Sequence, residues 1–234
     1  MRFVRFAVFA VSAALAVPAA GQSFDVGLEA AQRGDYATTL ENWRPLAERG
    51  HAGASNRLGL MYENGDGVPQ DYVEAVRWYR IAAEEGYRVA QTNLGFMYAN
   101  GHGVLQDYTE AVRWYRLAAE LGHVVAENNL GLMYDNGHGV PQDYVEAVRW
   151  YRLAAEKGYA VAQKNLGFMY RAGDGVLQDY VLAHMWLNIA GANGADAATS
   201  KREAVEGYMT REQVADAQVR ARNCMSSGYQ NCGR

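Results

Sequence analysis

The chain is poor in the residues that most chemistry needs. Its 234 residues include two cysteines, Cys224 and Cys232, both close to the C-terminus. Residues 52–195 hold a single serine, Ser55, with no His/Asp pair in its register and no serine–lysine motif. That argues against nucleophilic catalysis, which requires a nucleophile beside a base. No lysine or arginine run occurs, and the net charge is −4. An acidic chain with scattered arginines lacks the basic footprint of a nucleic-acid binder. The Gly101-His102-Gly103 segment is no phosphate loop, because no strand precedes it. Strand-like alternation of useful length is missing throughout, and beyond the N-terminus no apolar run approaches the roughly 20 residues of a membrane span.

The N-terminus is different. Arg2 and Arg5 precede an apolar run from Phe6 to Val17, then Pro18-Ala19-Ala20-Gly21 and a polar Gln22. A basic start, a short apolar core and small residues read as a secretory signal peptide over 1–21. Its removal takes the net charge from −4 to −6. The mature protein is expected to be exported, most simply to a bacterial periplasm or else outside the cell, with no transmembrane segment. In an oxidising compartment an even cysteine pair reads as a disulfide, Cys224–Cys232. Such a bridge adds roughly 2–3 kcal/mol in the chain-entropy model. A metal pair or a redox thiol has less support, since the spacing is not C-x-x-C and no second Cys or His pair stands nearby.

What the chain has in abundance is repetition. Trp-Tyr-Arg occurs at 78–80, 114–116 and 150–152, and Trp186 continues the series, each step being 36 residues. Leu58-Gly59, Leu94-Gly95, Leu130-Gly131 and Leu166-Gly167 keep the same period, as do the Met-Tyr pairs at 61, 97, 133 and 169. A fixed period of this size marks a solenoid. Within residues 88–123, Ala90, Leu94, Met97 and Tyr98 line one face of a first helix, Arg88 to Asn100. Gly101 and Gly103 end it. Asp107 with Glu110 reads as a capping box opening a second helix, Tyr108 to Glu120, which carries Ala111, Trp114, Tyr115, Ala118 and Ala119 inward. Asp71/Glu74 and Asp143/Glu146 repeat the box, and Ser200/Glu203 and Thr210/Gln213 are expected to open two further helices.

One helical hairpin cannot bury its own apolar face, but stacked copies can. The expected fold is therefore all-α, a right-handed α-solenoid of antiparallel helix pairs. Four units are assigned to 52–87, 88–123, 124–159 and 160–195. Residues 22–51 read as a degenerate N-terminal repeat or cap, and 196–234 as C-terminal capping helices with a cysteine-bearing tail.

These residues resemble the Sel-one-like repeat family, helical relatives of the tetratricopeptide repeats. The resemblance is carried by Ala90, Leu94, Gly95, Tyr98, Gly101, Gly103, Val104, Asp107, Ala111, Trp114, Tyr115, Ala118, Ala119 and Gly122. It covers about 25–223, and the fourth unit departs at Met185-Trp186-Leu187. It implies a non-enzymatic adaptor for another protein or an extended peptide. The alternative, a protein that binds or hydrolyses peptidoglycan fragments or β-lactams, follows from some cysteine-rich members. Those members bridge the helices of each repeat, whereas the repeats here hold by packing alone.

No catalytic, cofactor or metal site is expected. His102 and His138 share a turn position with Asp66 and Asp174, but residues one repeat apart stand roughly 8–10 Å apart. Two ligands of one zinc must each lie about 2 Å from it. They read as polar turn residues. His51 and His123 read as residues packed at the C-terminal end of a second helix, and His184 as solitary. The arginine ladder at 77/80, 113/116 and 149/152 reads as a solvated face with partners such as Glu74, or as the seat of an acidic partner. The candidate binding surface is a stripe on the first helices, expected to line a concave groove. It comprises Arg57, Asn64, Asn93, Phe96, Asn100, Asn129, Leu132, Asn136, Asn165 and Phe168. An asparagine amide both donates and accepts, so the row can hold a peptide backbone, or it can staple neighbouring repeats.

Overall fold

A computed structural model describes residues 23–230 and 232. The signal peptide expected over 1–21 lies outside the described residues. The described residues form twelve helices and no strand: α1 Phe24–Gln32, α2 Tyr36–Glu48, α3 Ala52–Asn64, α4 Tyr72–Glu84, α5 Arg88–Asn100, α6 Tyr108–Glu120, α7 Val124–Asn136, α8 Tyr144–Glu156, α9 Ala160–Ala172, α10 Tyr180–Ala192, α11 Ala198–Glu206 and α12 Arg211–Ser226. Among the described residues no helix is long and apolar enough to cross a membrane. Each helix of α1–α10 packs on its neighbours in sequence, and α10 also carries α11 and α12. The all-α solenoid of antiparallel pairs is as expected, and the two helices read from residues 88–123 have the expected bounds.

Glycine sets the closeness of each pair. The backbone of Gly95 in α5 lies under the ring of Tyr115 in α6, and a Cβ there would stand 2.7 Å from the ring. Gly59 with Tyr79 and Gly131 with Tyr151 repeat the contact. The tryptophans link pair to pair. Trp114 is buried with Tyr79 and Ala83 of α4 and with Ala90 and Leu94 of α5. Trp150 sits likewise among Tyr115, Ala119, Ala126 and Leu130. Every core therefore mixes residues of consecutive repeats, which makes stability a nearest-neighbour property.

The ends depart from the pattern for physical reasons. In α1–α2, Trp43 takes the tyrosine register over Gly27, and its Nε1 donates to the Phe24 carbonyl at 3.0 Å. At the other end, Met185 stands where inner repeats carry Arg113 or Arg149. It is 1% exposed, because α11 and α12 cover α10 there. An arginine at that position would lose its water. The cysteines form a disulfide with Cα atoms 5.3 Å apart, and both are buried in the same core as Met185 and Trp186.

Several local expectations are corrected. Asp107 does accept from the Thr109 and Glu110 amides, at 2.9 and 3.0 Å, but the Glu110 carboxylate turns forward to Arg113 instead of closing a box. Glu74 and Glu146 likewise pair with Arg77 and Arg149. Ser200 caps nothing: α11 begins at Ala198, and the Ser200 hydroxyl donates to the Ala197 carbonyl. The Thr210/Gln213 box is fully formed.

Three of the histidines are also placed differently, whereas His102 and His138 lie in the turns as expected. His51 and His123 are the N-cap residues of α3 and α7. His51 Nδ1 accepts from the Ala54 amide at 3.1 Å. The Thr92 hydroxyl gives its proton to the Arg88 carbonyl, so His123 must donate to it from Nδ1, at 2.7 Å. His184 is fully buried and bonded to Glu206 of α11 at 2.9 Å. His102 and His138 stack on Tyr72 and Tyr108 of the preceding repeats, with ring centroids 4.9 and 4.4 Å apart.

Burial, reinforced by the Arg88 charge, holds the His123 pKa below its ordinary value. The unfolded chain then takes up this proton at a higher pH than the folded one. The contribution is complete above about pH 6.5, the unfolded value, and is lost as pH falls below it. Replacing His123 by tyrosine, the residue at 87 and 159, should flatten the decline in melting temperature between about pH 7.5 and 5.5. An unchanged decline in the His123→Tyr protein would show that this proton is not linked to folding.

Candidate functional site

The first-helix stripe divides into two sets. Asn93, Asn129 and Asn165 are half-buried and engaged within the protein. Asn93 Nδ2 donates to Asn56 Oδ1 at 3.1 Å, and Asn165 Nδ2 to Asn128 Oδ1 at 3.0 Å. Both bonds join a first helix to the one a repeat earlier. Asn129 Oδ1 accepts from Asn128, and its side chain also reaches the Tyr115 hydroxyl. Its counterparts Tyr79 and Tyr151 bond to Glu63 and Asp135, whose register in this repeat is held by Ala99, which has no acceptor side chain. These asparagines act as staples between repeats.

The second set faces water. Arg57, Asn64, Asn100 and Asn136 are exposed, and Phe96 is 42% exposed. Asn100 and Asn136 donate to the carbonyls of Phe96 and Leu132, each at 2.8 Å, which leaves their Oδ1 atoms to accept. Asn64 donates to Asp66. Leu132 and Phe168 are half-buried against the C-terminal core. The stripe is thus a discontinuous row, not a ladder of free amides.

The opposite, second-helix face carries a regular feature. A cleft of about 450 Å³ is lined by Val148, Arg149, Arg152, Leu153, Glu156 and Val176, among others. A second cleft, of about 280 Å³, is lined by Val112, Arg113, Arg116, Leu117, Glu120 and Val140. Every one of these residues precedes its counterpart by 36 positions. A third cleft, at Leu40, Glu41, Arg44 and Pro45, continues the series on α2.

The cause is local. The turn of each repeat rests on the start of the preceding second helix. Gly139, at φ 72°, lies so close to Tyr108 that a Cβ would be 2.3 Å from its carbonyl oxygen. That contact brings Val140 against Val112 and leaves an apolar floor. The walls are fixed by the arginines. Arg113 pairs with Glu110 at 2.9 Å and stacks over Trp114 at 4.0 Å. Arg116 donates to Tyr134 of the next repeat at 3.0 Å. Arg44, Arg80 and Arg152 make the equivalent bond to Tyr62, Tyr98 and Tyr170. A guanidinium has five N–H donors, so donors remain at the rim. The arginine ladder has the expected glutamate partners. The sequence reading did not connect it with Leu117, Leu153, Val140 and Val176, whose common period was the available signal.

The Sel1 repeat model matches residues 52–87, 88–123, 124–159 and 160–194. The chain belongs to the Sel1 repeat family. Solved structures agree. The chain is 33% identical to a protective antigen of uropathogenic Escherichia coli strains that displays an SLR fold, with a TM-score of 0.74 over 91% of this chain and 51% of the antigen. It therefore spans about half the length of that antigen. It is 31% identical to a Sel1 repeat protein from Oxalobacter formigenes, with a TM-score of 0.69 over 88% of this chain and 78% of that one. No curated protein matches the chain. Sel1 repeat proteins generally act as protein-interaction scaffolds, and this Sel1 repeat chain presents one surface pattern several times at one spacing.

Proposed function

We propose that this Sel1 repeat chain is an exported, non-enzymatic scaffold that holds an extended segment of another protein along its second-helix face. One observation carries the reading: clefts of the same lining recur at the repeat spacing. Consecutive clefts are separated by one hairpin, roughly 8–10 Å at ordinary helix packing distances. A segment in the polyproline II conformation has three residues per turn and advances about 3.1 Å per residue, so every third side chain of a bound segment meets a cleft. The apolar floor supplies desolvated anchors, which dominate affinity, and Arg116/Glu120 and Arg152/Glu156 supply polar contacts at the rim. The exposed part of the first-helix stripe, Phe96 with Asn64, Asn100 and Asn136, is the second reading, favoured by the exposure of Phe96. Export is supported by the basic and apolar N-terminus and by the disulfide.

The mature chain, used as bait in periplasmic extract, should retain a defined partner and should not turn over β-lactams or peptidoglycan fragments. Turnover of either without a retained protein would replace the scaffold by the cell-wall alternative.

A further inference from the structure

The junction between the last two repeats and the cap has a pocket unlike the rest of the surface. It measures about 300 Å³ and is lined by Asp135 of α7, Phe168 and Arg171 of α9, Asp174 of the following turn and Lys201 of α11. This is at the small end of ligand-pocket volumes. Two carboxylates and two cations line it, yet among the described residues no ion pair within 4.0 Å joins any of them. Elsewhere opposite charges on neighbouring turns do pair, as Glu110–Arg113 and Asp216–Arg220 do at 2.9 Å.

Asp135 accepts one bond, from the Tyr151 hydroxyl at 3.0 Å. Burial and the nearby Asp174 charge push its pKa up, so a cation between the two carboxylates would be welcome. Arg171 lies over the Phe168 ring at 5.8 Å. The combination occurs at this junction alone within the repeats. The counterparts of Asp135 are Glu63, Ala99 and Arg171, those of Asp174 are Asp66, His102 and His138, and Lys201 belongs to the cap.

We propose that this pocket binds a small zwitterion, an α-amino acid with free ammonium and free carboxylate. The ammonium lies between Asp135 and Asp174, the carboxylate meets Arg171 and Lys201, and the side chain lies on Phe168. A simple cation would be repelled by Arg171 and Lys201, and a simple anion by the two aspartates. The interior of a peptide carries neither charge. The inference does not depend on the scaffold reading, since it concerns a different surface and a different ligand.

Calorimetric titration of the mature protein with glycine, L-leucine and L-phenylalanine tests it, alongside the N-acetyl and carboxamide forms of each. At least one free amino acid should saturate the protein below about 10 mM. Removing either charge of that ligand should weaken binding by about tenfold or more. Asp135→Asn, which can still accept from Tyr151, and Lys201→Gln, at an exposed position, should each weaken it several-fold with the helical circular dichroism unchanged. Absence of saturation with every free amino acid, or capped forms binding as well as free ones, would overturn the proposal. Equal binding by both variants would overturn it too, and none of these outcomes bears on partner retention through the second-helix clefts.

Discussion

Trp114→Ala is expected to lose about 3–5 kcal/mol of stability, the usual range for a buried aromatic cut to alanine. The side chain is 5% exposed and belongs to a core built from α4, α5 and α6. No rearrangement within one hairpin can fill the hole, because its walls belong to two repeats. Trp114→Phe should cost much less. The indole Nε1 is buried without a partner, so phenylalanine removes an unsatisfied donor whose desolvation costs roughly 1–3 kcal/mol. Denaturant titration should also show the alanine variant melting in two steps, since damage in the middle of a nearest-neighbour array uncouples its halves. A loss under about 1 kcal/mol, the scale of an ordinary surface change, would mean that the tryptophans do not join the repeats.

Gly139→Ala should be nearly as damaging, for a different reason. A Cβ at 139 meets backbone: Tyr108 O at 2.3 Å, Tyr108 C at 2.4 Å and Thr109 N at 2.8 Å. Backbone cannot swing aside as a side chain can. Overpacking of this kind costs about 1–3 kcal/mol, and the left-handed φ adds about 1–2 kcal/mol for an L-residue. Gly137→Ala is the control. It has a similar φ of 69°, but a Cβ there would stand 3.2 Å from the Gln142 Cβ and 3.3 Å from its backbone N, contacts that a shift of a few tenths of an ångström relieves. It should lose about 1–2 kcal/mol, the conformational part alone. Equal losses at both positions, in thermal melts, would show that the turn does not bear on the preceding helix.

The fold was legible because periodicity, glycine position and N-cap aspartates all point to one hairpin per period. Tyr79, Tyr115 and Tyr151 sit over glycines whose spacing the sequence displays. The site was less legible. Asn93 bonds to Asn56 and Asn165 to Asn128, pairs offset by 37 positions and not 36. The extra residue comes from how adjacent first helices slide past each other, which a single-repeat projection does not contain. His123 looked like the end of a second helix but is the start of the next first helix, because one glycine separates the two. Ser200 looked like a cap, but α11 starts two residues earlier, after Ala197 at a left-handed φ of 58°. The clefts depend on a turn resting on the preceding repeat, which again is a contact between units.

On the proposed reading the partner lies on the second-helix face. The most direct test compares two double variants for binding of the captured partner. Leu117→Ser with Leu153→Ser alters two clefts at positions that are not fully buried, and Phe96→Ala with Asn136→Ala alters the exposed first-helix stripe. Circular dichroism confirms that each stays helical. The cleft variant should lose about tenfold or more in affinity, the effect of removing apolar anchors, while the stripe variant should bind nearly as wild type. A folded cleft variant that binds normally, with a stripe variant that fails, would contradict that reading.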